Sequence, residues 1–276
     1  MNSDFFGTEK ITKILLKMAP PVMLAQLIQA LYNVVDSFFV GRYSESGLTA
    51  FSIIYPIQLL MIALAVGTGV GINTEMAYNL GIGKKKRSDD TAGIGTPLAL
   101  LMWVIFAVVC FFLMPAYARM NTSSEEVITM VVLYGRIVCV ISIGLFLESV
   151  WTKVHQAEGN MRTPMIAQIV GAIVNIVLDP VMILMLGWGV TGAALATIIG
   201  NIAACLFYLQ YFLRKKSTLT ISLKYFKIGG GTARGVVAIG IPASLNNILM
   251  SFANIILNQA LVGYGDTPVA AMGVAL

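Results

Sequence analysis

Two aspartates stand in otherwise apolar surroundings, Asp36 and Asp179, and each has an amide on its own helical face: Asn33 three residues before the first, Asn175 four before the second. Thr197 adds a hydroxyl, and depth within the apolar runs sets all three stretches at similar height. Pro180, directly after Asp179, has no N–H, so the carbonyl of Ile176 loses its partner within a helix and becomes a further ligand. Carboxylates, amide oxygens, a hydroxyl and a freed carbonyl are hard oxygen donors. They suit a proton or a small cation such as Na+. An uncompensated charge at bilayer depth costs on the order of 3 kcal/mol, and taking up a cation removes that cost. A hydrogen-bonded network that merely ties helices together is the alternative, but it has to account for two acids at one depth.

Those residues need helices to carry them, and the composition supplies them. Of 276 residues, 58% are hydrophobic and 11% charged, against roughly a quarter charged in a soluble domain; mean hydropathy is +0.84. This excludes a soluble enzyme, a disordered chain and a disulfide-stapled secreted domain. Apolar runs long enough to cross a bilayer predict spans at about 14–40, 48–80, 92–117, 127–154, 165–186, 190–213 and 236–262, with an eighth beginning at 269–276. The first run is too long for a secretory signal and contains Asp36.

The net charge of +5 does not form the stripe that nucleic acid needs, because the lysines and arginines cluster between spans. Lys10, Lys13, Lys17, Lys84, Lys85, Lys86, Arg87, Lys153, Arg162 and six more between 214 and 234 fall on one side, Arg42 and Arg119 on the other. By the excess of positive charge in cytoplasmic loops, the N-terminus is expected to be cytoplasmic and the location the cell membrane, multi-pass. Cys110, Cys139 and Cys205 read as isolated core or lipid-facing residues. Gly67, Gly69 and Gly71 lack the order of a nucleotide loop and read as helix packing. Glu75 reads as interfacial; Arg136 and Glu148, twelve apart, each need a partner on another helix; His155 reads as a solvated loop residue.

Shifting the seventh span by 221 residues over the first aligns Pro21 with Pro242, Asn33 with Asn254, Tyr43 with Tyr264, Glu45 with Asp266 and Ala50 with Ala271. A six-helix unit starting again in the same orientation is a parallel transporter repeat. Chance likeness between two helices with proline near one end accounts for the match as well. Asp36 has no counterpart: Leu257 stands there.

The residues VVDSFFVG at 34–41, QAEGNMRTPMIAQIVGAIVNIVLDPVMI at 156–183 and GAALATIIGN at 192–201 strongly resemble the multidrug and toxic compound extrusion (MATE) transporters. The resemblance implies an all-α polytopic membrane protein, in full two six-helix lobes around a central cavity, that exports amphipathic or cationic drugs by alternating access in exchange for H+ or Na+. Carried onto this sequence, it implies a cation site at Asp36, Asn175, Asp179 and Thr197, Na+ included, with Asn33 and the Ile176 carbonyl as further contacts. It implies no catalytic residue and no cofactor beyond the coupling ion. Its partners are the bilayer and small substrates, with no nucleic acid.

On this reading residues 1–13 are a cytoplasmic N-terminus, 14–213 the first six-helix lobe, 214–235 a cytoplasmic linker and 236–276 the start of a second lobe, whose missing remainder transport would need. Span seven holds no acid, unlike some members. Two rivals remain: a lipid-linked oligosaccharide flippase of the same superfamily, which needs a basic cavity, and an intramembrane aspartyl protease using GYGD at 263–266. The protease needs two aspartates at one depth, and the topology puts Asp266 in an outward turn.

Overall fold

Backbone in hydrocarbon finds no water, so each apolar segment has to close its own hydrogen bonds, and a helix does so within one segment. The computed structural model describes residues 10–43, 45–213 and 231–262. They form α1 (Ile11–Tyr43), α2 (Glu45–Gly81), α3 (Lys85–Asn121), α4 (Glu125–Val140), α5 (Ile143–Ala157), α6 (Arg162–Asp179) with a π-helical turn at Pro180–Met185, α7 (Gly189–Leu213) and α8 (Gly231–Val262). Six stretches are long and apolar enough to cross a bilayer, and α4 with α5 makes a seventh, broken by 42°. The chain is an all-helical, multi-pass membrane protein. The basic loop at Lys84–Arg87 marks one end of the bundle, called the basic end below.

The fourth expected span is therefore two helices. A break in hydrocarbon leaves carbonyls unpaired unless side chains reach them, and here two do. Ser142 Oγ donates to the Cys139 carbonyl at 2.7 Å, and Trp103 Nε1 from α3 donates to the Val140 carbonyl at 3.0 Å. The fifth span changes register at Pro180, which cannot donate to Ile176; the ladder continues with the wider π spacing, closing with Leu186 N–H on the Val181 carbonyl at 2.9 Å. Gly187 and Gly189, at φ +67° and +52°, then turn the chain into α7.

Small residues decide how close the helices come. Where α6 crosses α7, a Cβ on Gly200 would lie 2.8 Å from the Gly171 carbonyl oxygen, and one on Gly171 would lie 3.0 Å from that of Gly200. The glycines of α2 divide between two neighbours. Gly67 faces Ser244 of α8, Gly71 faces Val236 and Gly240 of α8, and Gly69 lies under the Lys153 stem of α5. The packing expectation for this run holds.

Several polar side chains near the basic end are paired. Trp151 Nε1 donates to Thr96 Oγ1 at 3.0 Å, Thr152 and Tyr208 hydroxyls lie 2.7 Å apart, Asn73 Nδ2 donates to the Lys153 carbonyl at 2.8 Å, and Asn160 Nδ2 reaches Thr163 and Tyr211 hydroxyls at 2.8 and 3.2 Å. His155 belongs here and not in solvent: α5 runs two residues past it, its side chain is buried, Nδ1 lies 2.8 Å from the Trp151 carbonyl, and Tyr208 and Tyr211 stack around the ring. Cys110 and Cys139 are free thiols, yet not isolated, since their side chains meet across α3 and α4.

Candidate functional site

The glycine crossing of α6 and α7 sets the site. Asn175 is one turn past Gly171, Thr197 nearly one turn before Gly200, and because the two helices run antiparallel both residues fall on the same side of the crossing, away from the basic end. Asn175 Nδ2 donates to Asp179 Oδ1 at 3.3 Å and to Thr197 Oγ1 at 3.4 Å. Asp179 is 0% exposed, Asn175 3% and Asp36 5%. Asp36 comes from α1, which packs against α6 and the π turn, and lies near enough to Asp179 for the two charges to repel.

What the cluster lacks is equally informative. Asp36 Oδ1, Asn175 Oδ1 and Asp179 Oδ2 are buried acceptors without a hydrogen-bond partner. Buried acceptors are almost always paired, and an orphan marks an unseen proton, ion or water. Three orphaned oxygens in one cluster fit a hard cation or a shared proton. Among the described residues no group of three His, Cys, Asp or Glu could hold a metal, so a transition-metal centre has no ligand set here. The Asn33 side chain, like Tyr264, Asp266 and the 269–276 stretch, lies outside the described residues.

Beside the cluster is a cavity of about 380 Å³ between α1, α2, α5, α6, α7 and α8. Amides dominate its polar lining: Gln26, Gln29, Gln156, Gln168, Asn201 and Asn247. Asn175 and Thr197 line it too, so the amide that donates to Asp179, and the hydroxyl beside it, form a wall shared with the cavity. Its charged groups are Glu148 and Lys153 of α5. Sequence reasoning sought a partner for Glu148 on another helix and did not place it in a cavity, because a 3.6-residue period fixes a face and not what lies opposite.

Arg136 is elsewhere. Its guanidinium lies 4.5 Å above the Phe111 ring, and Nε donates to the Phe111 carbonyl at 3.3 Å. Glu75, 14% exposed, accepts from Asn79 Nδ2 at 3.1 Å and lies 3.9 Å from Arg87 at the basic end.

Comparison with known proteins bears on the family and the fold. The family model described as MatE matches residues 21–181, and that described as the lipid II flippase MurJ matches residues 129–263. Multidrug export protein MepA of Staphylococcus saprophyticus is 26% identical over 272 residues, 98% of this chain and 60% of its own length. The solved structure of MATE in its straight conformation superposes with TM-score 0.90 at 26% identity, covering all of this chain and 62% of that one. An outward-facing multidrug resistance MATE transporter of the MOP superfamily gives 0.87 at 26% identity, over 96% of this chain and 59% of that one. This chain spans about 60% of the length of the curated relatives it matches.

Proposed function

The chain belongs to the MatE family, a family of transporters and not of enzymes, and from that premise we propose that it is part of a cation-coupled antiporter exporting amphipathic or cationic drugs. Asp36, Asn175, Asp179 and Thr197 take the coupling ion, a proton or Na+; the amide-lined cavity takes the substrate; Asn33 and the Ile176 carbonyl are further contacts. Residues 14–213 form one lobe with the N-terminus cytoplasmic, 214–235 link the lobes, and 236–276 open the second.

One observation supports this most: Asn175, which donates to Asp179, and Thr197, which accepts from the same Asn175 amide, both line the cavity. An ion that draws the Asn175 and Thr197 side chains toward the carboxylates changes the donors and acceptors the cavity offers. A ligand moves an equilibrium only through different affinity for its two states. The shared wall supplies such a difference, because occupancy on one side alters the binding surface on the other.

The test is transport by the full-length protein in proteoliposomes under a pH or Na+ gradient. Asp36→Asn and Asp179→Asn each reduce ion-driven drug efflux at least 100-fold while reconstitution yield stays unchanged; efflux at the parent rate in both variants refutes the coupling. The MurJ match favours a second reading, a flippase for lipid-linked oligosaccharides. A pyrophosphate headgroup needs a cationic cavity, whereas this one holds a single lysine and also a glutamate. Flipping of a fluorescent polyprenyl pyrophosphate glycan, unaffected by Asp179→Asn, would favour that reading instead.

A further inference from the structure

Glu148 and Lys153 both line the cavity and yet do not pair with each other. Glu75, by contrast, lies 3.9 Å from Arg87 at the basic end. Lys153 Nζ donates to a neutral acceptor, Gln156 Oε1, at 3.1 Å, and no described residue donates a hydrogen bond to the Glu148 carboxylate. The helix explains the separation. Five residues along α5 set the two side chains about 7.5 Å apart along the axis and roughly 140° apart around it, at opposite margins of the face that Ser149 and Thr152 centre.

Packing holds each margin in place. On the Glu148 side, Cys205 Sγ of α7 donates to the Gly144 carbonyl at 3.2 Å, one turn before the glutamate. On the Lys153 side, the lysine stem lies against Gly69 of α2 and its carbonyl accepts from Asn73. The carboxylate therefore belongs to the α7 wall and the ammonium to the α2 wall, with the open volume between them.

We propose that these two residues select amphoteric substrates, molecules carrying a cationic group at one end and an anionic group at the other, bound with the cation at Glu148 and the anion at Lys153. This rests on the cavity being the substrate site of the transporter. A plain cation satisfies Glu148 but meets repulsion from Lys153, and a plain anion the reverse; only a dipolar molecule satisfies both desolvated charges. Both charged residues line the open volume without an ion pair between them, which suits a molecule whose own opposite charges are set apart. A volume of about 380 Å³ lies within the range of small-molecule sites. The surrounding amides donate or accept as required, which tolerates varied scaffolds between the two ends.

Two xanthene dyes differing in one ester test this. Rhodamine 110 has a free carboxylate and is amphoteric at neutral pH; rhodamine 123 is its methyl ester and a plain cation. Binding is read by fluorescence polarisation with the full-length protein in detergent. The parent prefers rhodamine 110 by at least tenfold. Lys153→Met, which keeps the stem over Gly69, weakens rhodamine 110 about tenfold and brings the ratio of the two affinities near one. Glu148→Gln weakens both dyes about tenfold. Equal affinity of the parent for both dyes, preference for the ester, a preference that survives Lys153→Met, or binding of neither dye overturns the proposal. Selective binding of rhodamine 110 that no ion gradient converts into movement supports the selectivity and counts against the transport reading alone.

Discussion

Two buried polar regions of this bundle face the same dielectric and are built in opposite ways. Near the basic end, Trp151, Thr152, Asn160 and Tyr208 each have a partner; the single atoms His155 Nε2, packed between tyrosine rings, Glu158 Oε1 and Gln168 Oε1 are scattered exceptions. Toward the other end, Asp36, Asn175 and Asp179 are as deeply buried and leave three oxygens unpaired. In hydrocarbon an orphaned acceptor costs on the order of 1–3 kcal/mol, so a region kept only for its shape would resemble the first. The difference separates polar groups that hold helices together from groups kept free to receive something.

The largest effect expected is at the crossing that assembles the second region. Gly200→Val places methyl groups against the Gly171 carbonyl, for which there is no room, and overpacking of this kind costs about 3 kcal/mol. Thermal unfolding in detergent should show the loss, and ion-dependent behaviour should disappear with it. A variant as stable as the parent would mean that the α6–α7 approach does not position Asn175 and Thr197.

Ion binding comes next. If the orphaned oxygens are a site, the coupling ion at 100-fold over its Kd stabilises the folded protein by about 2.7 kcal/mol, seen as a raised melting temperature that Asp179→Asn abolishes. Exchanging K+ for Na+ at constant pH, then varying pH without Na+, identifies which ion acts. No stabilisation by either would erase the contrast between the two regions. The smallest effect is at the paired region: Tyr208→Phe removes the partner of Thr152, costs about 1 kcal/mol, and leaves the ion-dependent shift intact. A change in that shift would show that the two regions are coupled.

Much of this was legible in the sequence. The seven spans emerge because length and apolarity alone decide them. Their ends fall within about five residues of the observed helix ends, except at the third, whose helix starts seven residues earlier at Lys85. Counting helical rise put Asp36, Asp179 and Thr197 at similar depth, and helical period put Asn175 on the face of Asp179; the Asn175 hydrogen bonds to Asp179 and Thr197 are what the structure adds. Features set by contacts between helices were not legible. The break after Val140 depends on Trp103, thirty-seven positions earlier, covering a freed carbonyl, and no local pattern marks it. Pro180 announced a lost hydrogen bond, yet whether the ladder would stop or widen into a π turn depends on packing against α7. His155 looked like a loop residue because Lys153 and Gln156 flank it; its tyrosine neighbours lie over fifty residues away. Glu148 and Lys153 were visible, but not the space between their walls.

The seam between α2 and α8 carries one last consequence. Gly67 and Gly71 set backbone against Val236, Gly240 and Ser244, so small residues and close approach make this seam. Prising such surfaces apart forfeits dispersion between closely packed backbones. A joint with that property resists shear by shape alone, so modest forces can rock it open and let it reseat in register.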